Sequence, residues 1–278
     1  RVVPDSVPRS ELLGAVSLNG VGINLARAVG PALGGIVVAA AGSGAVFLLN
    51  AASFVGVMFV LYKWKRVPHK SALPTERFIG AIRSGMRYVQ YAPELRAVLV
   101  RAAVFISCAS ALWALLPLVA RQQLKLDSFG YGVLLGCLGV GAVTGAFMLP
   151  KIRRQFSTDR LLVGATILYA IANLAVAYLN NLVLVCAALL VAGVSWIAMM
   201  SSLNAAAQLA VPTWVQARSL GVYQLVFQGG IAAGSAVWGI IAEHFGNSIA
   251  LLGATIGLIL GLVAALRYRL IAGEKLDL

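Results

Sequence analysis

The 278 residues are 60% hydrophobic and 11% charged, whereas a soluble domain carries about a quarter charged residues. That balance excludes an ordinary soluble domain and points to a membrane protein with several spans. The net charge of +13 does not point to nucleic acid, because the cations sit in loops between apolar runs, with no basic patch interleaved with exposed aromatics.

Arg1 to Leu13 reads as a polar loop with Pro4, Asp5, Pro8, Arg9 and Glu11. The chain opens without methionine or signal peptide, and the expectation is a fragment whose earlier helices are missing. The first span is expected from Val16 to Ala41. Gly22, Ala26, Gly30 and Gly34 recur every four residues and form one small-residue stripe, which lets another helix approach closely in lipid. Pro31 removes a backbone bond in mid-helix and predicts a kink. Arg27 lies near the middle of the span, where a charge costs roughly 3 kcal/mol or more, so it is expected to face protein or a water-filled cavity. Asn19 and Asn24 lie nearer the cytoplasmic end.

Gly42-Ser43-Gly44 predicts a minimal outer turn, and the second span follows from Ala45 to Tyr62, stopped by Lys63, Lys65 and Arg66. Between Val67 and Arg96 the pattern changes. Phe78, Ile79, Ile82, Met86 and Val89 alternate with Arg77, Arg83 and Arg87 at helical spacing, which predicts an amphipathic helix lying in the headgroup layer. A calmodulin-target helix has the same look, but spans flank this one closely on both sides. The organisation expected is therefore residues 1–66 as the end of one bundle, 67–96 as a linker and 97–278 as a second, six-helix bundle.

The third span is expected over Ala97 to Ala120, with Trp113 and Pro117 in its outer half, and Arg121 to Ser128 as an outer loop. The fourth covers Tyr131 to Leu149, with Gly132, Gly136, Gly141 and Gly145; it is expected to pack antiparallel on the first span, Gly132 and Gly136 facing Gly30 and Gly34. A basic loop with Lys151, Arg153, Arg154 and Arg160, relieved by Asp159, leads to the fifth span, Leu161 to Leu179. Asn180-Asn181 is a tight turn before the sixth, Leu182 to Leu203, which carries Trp196 and Met199. The seventh, Leu220 to Ala242, places Gln224 and Gln228 one turn apart on one face. Glu243 to Gly246 turns the chain into the eighth, Ser248 to Leu266, with Gly253, Gly257 and Gly261 as another ladder.

Of the 22 Lys and Arg, Arg121 and Lys125 fall in loops read as external and Arg27 in a span; the rest are read on the other side. This positive-inside bias places both ends of the chain in the cytoplasm. The chain also repeats itself. Gly234-Ser235-Ala236-Val237-Trp238-Gly239 aligns with Gly30-Pro31-Ala32-Leu33-Gly34-Gly35, and Gly246 then falls under Gly42. Parallel repeats about an axis along the membrane normal are a transporter architecture.

No enzyme, metal or cofactor is expected. His69 and His244 sit on opposite faces, so no pair forms a ligand set or a nucleophile–base couple. Ser201 and Ser202 lack a nearby base. The GCLGVG of the fourth span has no strand before it. Cys108, Cys137 and Cys186 all lie inside apolar runs and read as small buried hydrophobes. The candidates for transport are the polar groups in spans: Arg27 first, then Gln224 with Gln228, then Asn24. Trp113, with Trp196 and Met199, is a candidate for an apolar substrate pocket.

These residues resemble the major facilitator superfamily, in the branch of bacterial drug and siderophore exporters related to the enterobactin exporter, also called transmembrane secretion effectors. Residues 2–42 look like the loop and fifth helix of that branch, with Gly30, Pro31, Gly34 and Gly35 on its antiporter motif. Residues 204–246 look like the loop and eleventh helix. The stretch GAFMLPKIRRQFSTDRL resembles the loop between helices eight and nine, though Leu149 stands where the general loop motif wants an acid. The resemblance implies an all-α membrane protein of which this chain holds helices five to twelve, eight spans in all. It also implies proton-coupled efflux of an amphiphilic small molecule, drug or siderophore, across the cytoplasmic membrane, by a monomer. The partners implied are the substrate, protons and the lipid bilayer. The coupling carboxylate would lie in helices outside this sequence, and two helices of a first bundle give an incomplete site. A non-transporting scaffold or channel is the alternative, since neither needs a coupling residue.

Overall fold

The structure is a computed structural model that describes residues 12–63, 89, 91–211 and 216–266. Side chains are described throughout these except at 216–218, at 264–266 and over most of 12–43. The described residues are helical with short turns and contain no strand. The helices are α1 (Leu12–Lys63), α2 (Pro93–Leu118), α3 (Ser128–Gln155), α4 (Thr158–Tyr178), α5 (Leu182–Leu209), α6 (Gln216–Phe245) and α7 (Asn247–Leu266).

Helix α1 is two helices joined at Gly42, whose φ of 77° and ψ of 169° fall in a region that only glycine occupies without strain. Gly246, its counterpart in the internal repeat, has φ of 89° and joins α6 to α7. The two aligned glycines make the same kind of break. The amphipathic helix expected over 75–90 lies outside the described residues, apart from the helical Val89.

Two loops are shorter than expected. Helix α2 runs on through a π-helical turn, Val119–Gln123, so that only 124–127 remain of the loop read from Arg121 to Ser128. Helix α3 continues past Leu149 to Gln155, carrying Lys151, Arg153 and Arg154 on helix. Leaving the hydrocarbon does not end a helix, because its polar last turns satisfy their own backbone in water as well as in lipid. Side-chain caps start the helices that follow. Asp127 accepts from Gly130 N at 2.9 Å, Ser157 caps α4, and the Asn181 side chain accepts from Val183 N and Leu184 N at the start of α5.

Helices α2 to α7 form one bundle with α2 inside it. On α2, Ala102, Ile106, Ala109 and Leu112 are wholly buried, and the helix packs on α4, α5, α6 and α7. Helix α1 packs against α3, as expected for the first and fourth spans; the register of Gly30 and Gly34 on Gly132 and Gly136 lies outside the described residues. The second arm, Gly44–Lys63, has no buried residue. Six described helices are long and apolar enough to cross a membrane, and α7 contributes a shorter apolar stretch, Asn247–Val263.

Small residues set the helix spacing. A Cβ added at Gly141 would lie 2.1 Å from the Leu190 carbonyl oxygen, and one at Gly193 would lie 2.0 Å from that of Leu138, so α3 and α5 touch backbone to backbone. Gly234 brings α6 equally close to α2, its absent Cβ 2.2 Å from Ser110 Oγ and 2.3 Å from the Ser107 oxygen. The ladder on α7 packs Gly257 on Cys108 and Gly261 on Val104. In lipid, where apolar area alone gives no drive to associate, such approach supplies the van der Waals contact that holds helices together.

Candidate transport site

Helix α6 presents two amides outward. Gln224 and Gln228 are both exposed, with Leu225 between them 69% exposed, while Tyr223 on the other side is 3% exposed and turned into the bundle. The spacing of four residues places both amides on one face, as expected. The opposite face is held by Gly230 against Ile106 and by Gly234 against Ser107 and Ser110, and by Trp238 Nε1 donating to the Ser107 carbonyl at 2.7 Å.

Trp113 belongs to an aromatic cluster drawn from three helices. Its ring lies 5.4 Å from that of Trp196, which in turn is 6.2 Å from Phe105 and 6.2 Å from Tyr169. Tyr169 is wholly buried and its hydroxyl donates to the Ala109 carbonyl at 3.0 Å. Trp113 is the open edge of this cluster, 38% exposed against 8% for Trp196. Pro117 sits four residues further on inside the helix and cannot donate to the Trp113 carbonyl; the wider turn of Val119–Gln123 begins two residues later.

The two parts of the site lie at different depths. Helices α2 and α6 run side by side, with Gly230 beside Ile106 and Gly234 beside Ser107. Gln228 is two residues before Gly230 and Trp113 seven after Ile106, a separation along the bundle of roughly 13 Å at 1.5 Å per residue. Met199 is not part of the Trp113 edge. It lines a separate cleft with Phe105, Thr166, Leu258 and Arg101. Arg27, Asn24, Gly30, Pro31, Gly34 and Gly35 lie on the first arm of α1, and their side chains are outside the described residues.

Arg101 corrects the charge tally, which counted it with the cytoplasmic cations although it falls inside the third span. It lies eight residues into α2, with its side chain 8% exposed, and pairs with Asp159 at 2.5 Å. An arginine inside an apolar run and an acid in the first turn of another helix were visible in the sequence. Their meeting was not. At the far end of the bundle Gln123 Nε2 donates to the Val176 and Leu179 carbonyls, and Asn247 donates to Gln122 at 3.0 Å. Among the described residues no cluster of His, Cys, Asp and Glu could hold a metal ion.

A bundle of apolar helices with a repeated helix–turn–helix is the build of a many-span membrane protein. The family model described as transmembrane secretion effector matches residues 1–278. The chain belongs to that family, a branch of the major facilitator superfamily. It is 25% identical over 264 residues to the multidrug efflux pump Tap of Mycolicibacterium fortuitum, covering 92% of this chain and 62% of that protein. It is 22% identical over 189 residues to the staphyloferrin A transporter of Staphylococcus aureus, covering 66% of this chain and 46% of that one. The chain thus spans about half to three-fifths of the length of these relatives. In fold it is similar to a bacterial homologue of the human lysosomal transporter Spinster in its inward-facing form. The occupied structure gives a TM-score of 0.62 at 13% identity, covering 96% of this chain and 72% of that one; the unoccupied structure gives 0.56 at 14% identity, covering 96% and 70%.

Proposed function

We propose that the protein is a secondary active exporter of an amphiphilic small molecule, drug or siderophore, in the cytoplasmic membrane, driven by the proton gradient. Its eight spans are the last two helices of a first bundle, residues 1–66, a linker, 67–96, and a complete second bundle, 97–278, with both ends in the cytoplasm. The observation that carries this reading is the open face of the second bundle. Two amides, Gln224 and Gln228, stand outward on an apolar helix, and Trp113 is presented beyond them beside Trp196. Such a face suits a molecule with one apolar and one hydrogen-bonding part. The names of the two relatives, a multidrug pump and a staphyloferrin A transporter, support the same class. Arg27, Asn24 and the Gly30, Pro31, Gly34 and Gly35 motif belong to the opposite wall in this reading, and rocking of one bundle against the other gives alternating access.

The test is accumulation of fluorescent drugs and of ferric siderophores in cells with and without the whole protein, before and after collapse of the proton gradient by an uncoupler. Export is expected to cease with the gradient. A difference in accumulation that persists unchanged without it would remove proton coupling. Trp113→Ala is expected to weaken export of bulky aromatic substrates about tenfold, the effect of losing one aromatic contact.

A further inference from the structure

At the basic end of the bundle, the last turn of α3 crosses to α5. Arg153 Nη2 donates to Ser201 Oγ at 3.1 Å and to Ser202 Oγ at 3.2 Å. Beside them is an open pocket lined by the polar Arg153, Ser202 and Thr158 and the apolar Leu161, Ala206 and Leu209. Ser202 is 3% exposed and Leu161 7%, whereas Leu209 at the rim is 79% exposed.

The donors here outnumber the acceptors. The two serine oxygens accept from the guanidinium, and among the described residues neither hydroxyl has an acceptor for its own proton. Arg153 keeps further N–H groups, and no carboxylate pairs with it among the described residues. The one acid nearby in sequence, Asp159, is paired with Arg101. A guanidinium bonded to two hydroxyls, with Thr158 also lining the pocket, offers an array of donors that no anion meets among the described residues. Serines that only anchored a surface arginine would not need the pocket.

We infer that Arg153, Ser201, Ser202 and Thr158 bind a phosphoryl group. The apolar wall of Leu161, Ala206 and Leu209 runs from the pocket to the exposed rim, so the group can arrive as the headgroup of an anionic lipid or as a soluble organic phosphate. The site lies apart from the amide and aromatic face and does not depend on what the protein exports.

The experiment uses the full chain purified in detergent, with native mass spectrometry and tryptophan quenching to count bound ligand. Phosphatidylglycerol, phosphatidylcholine and glycerol phosphate are the probes. Retention of phosphatidylglycerol is expected, lowered about tenfold in Arg153→Gln, as for loss of a charge-assisted hydrogen bond. Ser201→Ala with Ser202→Ala, which leaves the charge unchanged, is expected to lower it several-fold. Arg154→Gln, the same charge change on the neighbour that does not line the pocket, is expected to lower it less than twofold. Binding of glycerol phosphate that is lost in Arg153→Gln supports the site and assigns a soluble source. Equal loss in Arg153→Gln and Arg154→Gln overturns the proposal, leaving only a basic surface. So does unchanged binding in the double serine variant with its helix content intact by circular dichroism.

Discussion

A methyl group added at Gly193 would sit 2.0 Å from the Leu138 carbonyl oxygen and 2.7 Å from the Ala142 nitrogen, both of them backbone. Neither atom can rotate away, so α3 and α5 would have to separate. Gly164, also within a helix, has nothing within 4 Å of the same added atom. Alanine favours a helix over glycine by about 1 kcal/mol at either place. At Gly164 that gain stands alone, and Gly164→Ala is expected to leave stability unchanged or slightly raised. At Gly193 the overpacking term of about 1–3 kcal/mol opposes it and wins. Gly193→Ala is expected to lower the unfolding temperature in detergent, read by circular dichroism against Gly164→Ala. Equal behaviour of the two variants would mean that the crossing is looser than the distances state. The ion pair of Arg101 with Asp159 belongs to this scale too. A cation that is 8% exposed inside an apolar helix is tolerated because a carboxylate meets it there.

Helices α1, α6 and α7 show how the elements are joined. The arms of α1 meet at Gly42 and α6 meets α7 at Gly246, both at positive φ. Gly42→Ala would force a Cβ into a backbone region that costs about 1–3 kcal/mol for any other residue. Gly44, two residues on in the second arm and with nothing within 4 Å, is the control. Gly42→Ala is expected to loosen the hairpin and speed protease cleavage between the arms, with Gly44→Ala unchanged; the same cleavage rate in both would refute a strained turn. The repeat adds meaning to Gly234, which aligns with Gly30. On α6 it permits contact with α2 at Ser107 and Ser110.

For the whole molecule, sidedness is the first expectation to test. With Cys108, Cys137 and Cys186 replaced by alanine, a cysteine at Lys125 is expected to react with an impermeant maleimide added to intact cells. A cysteine at Arg154 is expected to react only after permeabilisation. The reverse pattern would invert the topology read from the positive-inside bias. That bias, the span positions and the helix breaks at Gly42, Asn181 and Gly246 were legible in the linear chain, because hydropathy, charge and turn chemistry act over a few neighbouring residues. Loop lengths were less legible, since a helix runs past the hydrocarbon edge at no cost and hydropathy falls silent there. That Gln224 and Gln228 share one face followed from their spacing on one helix. Which side of that helix met the bundle was decided by Gly230, Gly234 and Trp238 packing on α2. Only the tertiary structure could place Trp113 on Trp196, Arg101 on Asp159 and Arg153 on Ser201 and Ser202. Each pair lies 48 or more positions apart in the chain, and no local pattern encodes which helices of similar composition become neighbours. That choice is made by how closely their small residues let the backbones approach.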